Sequence, residues 1–249
     1  MFGWFRSKAA CPVNEKDKAW LEQRMRWLAE EFGWQKLKSR SVILPTPEYF
    51  PDPYEGSPGD ARLMLDRVCD YMEIEPDTVE LSLYEDRNPV YEGEWRHGAA
   101  GLYHKEADKF RVWVEVSGLN DPLALVGTLA HELGHVHLLG HGRITDDVED
   151  HEPLTDLLTV FFGMGLFTAN SVIRENYWNA GGISGWSMGR RGYLTMPQYG
   201  YAFALFAWAR GEGNPTWEKH LRLDVRTAFD AALRFLESTR DSQFLPPSC

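Results

Sequence analysis

Pro122-Leu123-Ala124-Leu125-Val126-Gly127-Thr128-Leu129-Ala130-His131-Glu132-Leu133-Gly134-His135-Val136-His137-Leu138-Leu139-Gly140 is the stretch on which the reading of this chain turns. Asp121 has the chemistry of a helix N-cap. Proline suits the next position, because the N–H it lacks would have no helical partner there. Gly140 supplies a stop, so the pattern predicts a helix over 122–139. Its first half is apolar almost throughout and reads as buried. His131 and His135 stand four apart, which puts both imidazoles on one helix face, one turn from each other. Two ring nitrogens so placed can reach a single zinc ion at roughly 2.0–2.1 Å. Glu132 adjoins the first histidine and can accept a proton from activated water. A chance match on a surface helix would sit among polar neighbours. Here Thr128, Leu129, Ala130, Leu133, Gly134 and Val136 are all uncharged.

Upstream of this helix the periodicity changes. Phe110–Val116 is the clearest strand, rich in β-branched and aromatic residues, and Val79–Tyr84 alternates in the same manner. Glu94–His104 is a weaker strand candidate, interrupted by Gly98 and Gly101. Before them come a helix over 14–33 capped by Asn14, a proline-rich connector over 41–59, and a short helix over 60–72. Downstream, helices are expected over 151–166, from Thr195 to about 210, and over 222–239. A glycine-rich stretch over 179–192 reads as a loop or a flap. Helices, then a few strands, then helices only describe an α+β chain. A single domain over 1–249 is expected, with 1–140 carrying the sheet and the histidine helix and 141–249 completing the site.

His131-Glu132-Leu133-Gly134-His135 resembles the H-E-x-x-H signature of the zincin metallopeptidases. The likeness covers about 110–166, less than a quarter of the chain. It implies that His131 and His135 bind zinc and that Glu132 is the general base. It also implies a small, mainly antiparallel sheet packed on the motif helix, followed by a helical C-terminal half. A catalytic zinc needs a third protein ligand besides its water. Glu152-Pro153-Leu154-Thr155-Asp156 resembles the gluzincin pattern Glu-x-x-x-Asp, downstream of His135 by a plausible turn. That resemblance makes Glu152 the third ligand and Asp156 the carboxylate that holds a ligand histidine by its other ring nitrogen. Both acids could instead serve the dipole of a helix N-terminus. For Asp156 that reading is weaker, because an unpaired carboxylate within the apolar run Leu154–Phe167 would be costly. His141 is the rival ligand. It follows His135 by six residues, where metzincins place their third histidine, but Leu138 stands where that family has a glycine. His137 and His151 read as a flanking and a surface histidine.

The chemistry implied is hydrolysis of a peptide bond, with a peptide or protein as substrate. A donor to the developing oxyanion is sought among Tyr193, Tyr199, Tyr201, Arg190 and Arg191, with Tyr199 carried forward as the catalytic candidate. Each tyrosine can equally be core packing. Trp178 and Trp186 are candidates for a substrate groove. The alternative function is a zincin-fold interaction or regulatory module that hydrolyses little, against which the intact Glu132 counts. A dinuclear carboxylate site would want a second E-x-x-H pair, and none stands at helical spacing.

Charge and cysteines bound the rest. The formal net charge is -11, which disfavours nucleic acid and anionic membrane surfaces as partners. Cys11, Cys69 and Cys249 are far apart and odd in number, so neither a disulfide framework nor a cysteine zinc site is expected. No segment of signal-peptide length or bilayer-spanning length is recognised, and the cytoplasm is the expected compartment.

Overall fold

Local sequence chemistry sets the helix starts in the computed structural model, which describes residues 10–85, 101–106, 109–171, 173–180, 183–190 and 193–244. Asn14 opens α1 (Glu15–Phe32) by accepting the Asp17 N–H at 2.9 Å. Ser57 opens α3 (Pro58–Tyr71) through a reciprocal capping box with Asp60. Asp121 opens α4 (Pro122–His135), its Oδ1 accepting the Ala124 N–H at 3.1 Å. Thr195 and Gln198 form a second capping box at the start of α7 (Met196–Ala209). The remaining helices are α2 (Trp34–Ser39), α5 (His151–Phe161), α6 (Gly165–Ser171) and α8 (Leu223–Thr239).

The chain divides into two compact units. One comprises residues 1–41 and 194–249, and holds α1, α2, α7 and α8. In it α7 packs on both α1 and α8. α8 lies close against Gly200, where a Cβ would be 2.5 Å from Ala228 Cβ. Tyr201 of α7 donates its hydroxyl to the buried Glu22 of α1 at 2.7 Å.

The other unit comprises residues 42–193 and holds α3 to α6 with the described strands. β1 (Val79–Tyr84), β2 (Gly101–Glu106) and β3 (Lys109–Glu115) form a sheet in the order β1-β3-β2. Phe110, Val112 and Val114 are buried on one face of β3, as period-two alternation requires. α4 packs against β2 and β3 and against α3, α5 and α6. This position accounts for its apolar first half. α6 lies close against Gly127, where a Cβ would be 3.0 Å from the Phe167 carbonyl oxygen.

The α+β class agrees with the sequence pattern, but several details differ. The sheet is not mainly antiparallel: β1 and β3 pair in parallel, and only β2 is antiparallel to β3. β2 returns the chain, so β3, inserted between β1 and β2, runs in the direction of β1. The helix expected to 139 is α-helical only to His135. It continues through Val136–Gly140 as a wider π-helical turn, in which the His141 N–H reaches the Val136 carbonyl at 3.0 Å. The helix expected over 151–166 breaks after Phe161, and Gly163 turns the chain at a φ of 77° before α6. Of the glycine-rich stretch expected as a loop or flap, residues 179–180 and 183–190 fall in an antiparallel pair, β4 (Ile173–Ala180) with β5 (Ile183–Arg190), and residues 181–182 and 191–192 lie outside the described residues. Of the weaker strand candidate, residues 101–104 fall in β2, and residues 94–100 lie outside the described residues. No described helix is long and apolar enough to cross a membrane.

Candidate metal centre

α4 and α5 bring the motif residues together. His131 and His135 project from the last turn and a half of α4, their rings 4.8 Å apart between centroids and nearly perpendicular. Glu152 stands in the first turn of α5. Its Oε2 lies 3.1 Å from His131 Nε2 and 3.4 Å from His135 Nε2. These spacings are close to the edge of a zinc tetrahedron, roughly 3.3 Å for bonds of about 2 Å. The three residues offer donor atoms that all lie within 4.8 Å of one another, and they are the metal-capable group found among the described residues.

A second layer holds the histidines. Asp156, one turn along α5 from Glu152, is 1 % exposed, and its Oδ1 lies 2.9 Å from His131 Nδ1. A carboxylate only accepts, so Nδ1 carries the proton and Nε2 is the nitrogen turned to the donor group. Thr155 performs the weaker equivalent for His135. Its hydroxyl donates to the His151 carbonyl at 2.8 Å, which leaves its oxygen to accept from His135 Nδ1 at 3.4 Å. α5 can come this close because residue 134 has no side chain. A Cβ there would lie 2.6 Å from Thr155 Cγ2.

The electrostatics suit a cation. Burial works against a charged His131, yet the hydrogen bonds to Asp156 and Glu152 outweigh it and raise this imidazole well above its usual range. Burial likewise works to raise Glu152, and the hydrogen bonds from His131 and His135 reverse that and hold it far below the carboxylate range. Two imidazoles and one carboxylate are the ligand chemistry of a divalent transition metal. Glu132 is 5 % exposed. Burial lifts its carboxyl above the usual range, helped by the Glu152 charge and opposed by His135 and His131.

The rival third ligand falls elsewhere. His141 is exposed after the π-helical turn, its ring edge-on to Phe110 at 5.6 Å, and it is not in the donor group. His137 is buried, donates from Nε2 to the Met72 carbonyl (2.6 Å), and stacks on Phe162. His151 is half-buried rather than a surface residue, with its ring centroid 6.0 Å from that of His135.

Of the oxyanion candidates, Tyr199 has no exposed surface and stacks on Phe203 inside α7's own unit. A ring so enclosed presents nothing to a substrate. Tyr201 is equally buried and committed to Glu22. Tyr193 is the tyrosine at the metal group: its ring stacks on His131, with centroids 5.7 Å apart and planes 17° from parallel. Burial, the charges of Glu152, Asp156 and Glu132, and a hydrogen bond to Glu152 push its phenol up to about 12. The side chains of Arg190, Arg191, Trp178 and Trp186 lie outside the described residues. Sequence reasoning missed Thr155. The available signal was its place three residues after Glu152, one turn along the same helix face. Comparison of the chain with protein-family models, with curated proteins and with solved structures finds no match.

Proposed function

We propose that this chain is a zinc-dependent peptidase of zincin type, with His131, His135 and Glu152 as metal ligands and Glu132 as general base. The observation that carries the reading is the convergence of two α4 imidazoles on one carboxylate oxygen of α5, with Asp156 behind His131. A bound zinc ion supplies Lewis acidity and acidifies a water molecule to a pKa of about 7. The chain's own groups do the rest. Asp156 fixes the tautomer and plane of His131, and Glu152 contributes the negative charge of the set. Glu132 is buried between the two histidines in sequence, with a carboxyl of raised proton affinity. It accepts the proton of the attacking water and returns it to the leaving amine, the two transfers that amide hydrolysis requires.

The test is cleavage of a broad peptide library by the zinc-loaded protein, with Glu132→Gln as control. The amide keeps the size of the carboxyl but does not take up the proton. We expect the variant to retain zinc and to lose cleavage by 10²-fold or more, the usual scale of general-base catalysis. Equal cleavage by both proteins refutes the role of Glu132. Zinc binding without any cleavage by the wild type would favour an interaction module built on the same metal group.

A further inference from the structure

Tyr193 has no part in the ligand set, yet three separate contacts tie it there. Its backbone N–H donates to Asp156 Oδ2 at 2.6 Å. The same carboxylate accepts from His131 Nδ1 through its other oxygen, at 2.9 Å. Asp156 therefore carries two loads, one ring of the metal group and the amide of residue 193. The Tyr193 ring lies over that same imidazole, 17° from parallel. Its hydroxyl lies within reach of Glu152, whose charge helps to raise the phenol, and Glu152 is the carboxylate that faces both histidines. The side chain is nonetheless 46 % exposed. A partly exposed tyrosine needs no explanation by itself. One whose amide, ring and hydroxyl each engage a different member of a single cluster is placed there by the fold.

We infer that Tyr193 is a positioning residue of the metal group: its ring fixes the plane of His131 and its hydroxyl holds the Glu152 carboxylate toward the two histidines. The inference rests on the metal reading proposed above. Partners that orient metal ligands change affinity by about 10- to 100-fold when removed. Tyr193→Phe is the informative substitution, because it deletes the hydroxyl and keeps the stacked ring. The amide bond to Asp156 comes from the backbone and survives in any variant that folds.

The experiment is a zinc competition titration of the wild type and Tyr193→Phe against a chromophoric chelator. Cobalt(II) absorption in the visible range is recorded on both proteins, and a thermal melt of each metal-free protein checks the fold. The expected result is a zinc affinity about 10-fold or more weaker in Tyr193→Phe, with a shifted cobalt spectrum and an unchanged melt. Tyr193→Ala, which also loses the ring, should bind more weakly again. Equal affinity and identical cobalt spectra for wild type and Tyr193→Phe overturn the inference while leaving the metal site intact. Equal affinity with lost cleavage also overturns it, and makes Tyr193 a group that touches substrate. Failure of the wild type to bind zinc at all is a different result, which removes the metal reading and this inference with it.

Discussion

Gly134→Ala adds one methyl group at the centre of the motif. The new Cβ would lie 2.6 Å from Thr155 Cγ2, 3.5 Å from the Thr155 carbonyl oxygen and 3.7 Å from Leu158 Cδ2. Non-bonded carbons rest at about 3.5–4.0 Å, so the first contact is short by about 1 Å. Thr155 does not relieve it cheaply. It is β-branched in a helix, hence stiff at χ1, and rotation would break its 2.8 Å bond to the His151 carbonyl. The strain is therefore relieved by parting α4 from α5. Overpacking of this kind costs about 1–3 kcal/mol, while replacing glycine by alanine within a helix returns about 1 kcal/mol. The net loss of stability is about 0–2 kcal/mol. Zinc affinity should suffer more, because Glu152 rides on α5 one turn from Thr155. A shift of about 1 Å opens its 3.1 and 3.4 Å approaches to the histidines. We expect affinity to fall by on the order of 10-fold or more, the scale for disturbed ligand orientation. Urea unfolding of the metal-free protein and zinc titration measure the two effects separately. A variant about 1 kcal/mol more stable than the wild type, with unchanged zinc affinity, would refute the close approach, since that is the propensity gain alone.

Three other expectations follow from the packing. Asp156→Asn keeps one acceptor oxygen for two donors, so zinc should bind about 10- to 100-fold more weakly; wild-type affinity in a titration would mean that the carboxylate does not orient His131. Gly200→Ala places a methyl 2.5 Å from Ala228 Cβ and 2.7 Å from the Phe229 nitrogen, backbone that cannot swing aside. It should cost about 1–3 kcal/mol in chemical denaturation, and a stability equal to the wild type would contradict the α7–α8 contact. The Cys69 thiol is buried, and burial pushes it up to about 12. Alkylation needs the thiolate, so Cys69 should resist iodoacetamide in the folded protein and react in denaturant, whereas labelling as fast as half-buried Cys11 would show it exposed.

How much of this was legible in the sequence depends on the range of the interaction that decides each feature. Caps act over three or four residues, and Asn14 and Asp121 announced α1 and α4 within a residue of their starts. The i,i+4 spacing of His131 and His135 fixed their common face before any tertiary contact was known. Choice of Glu152 over His141 was less direct, since spacing admitted both. The π-helical turn after His135 carries His141 to Phe110, while Glu152 faces both histidines from α5. Parallel pairing of β1 with β3 was hidden, because strand direction depends on where β3 inserts and alternation carries no trace of that. The same limit applies to Tyr193 and Tyr199. Both are tyrosines near the start of one helix, and only tertiary structure puts the first on His131 and the second against Phe203. Gly134 falls in a position the motif leaves free, and the need for a hydrogen there comes from Thr155 on another helix.

Metal content separates the two candidate third ligands and shows whether the site holds zinc. Wild type, Glu152→Ala and His141→Ala would be purified without chelators, dialysed against trace zinc, and analysed by inductively coupled plasma mass spectrometry with protein quantified by amino-acid analysis. We expect about one zinc per chain for wild type and for His141→Ala, and near none for Glu152→Ala, which lacks the only charged ligand of the proposed set. Zinc retained by Glu152→Ala and lost by His141→Ala would make His141 the third ligand, and a wild-type protein that holds no zinc would refute the metal site altogether.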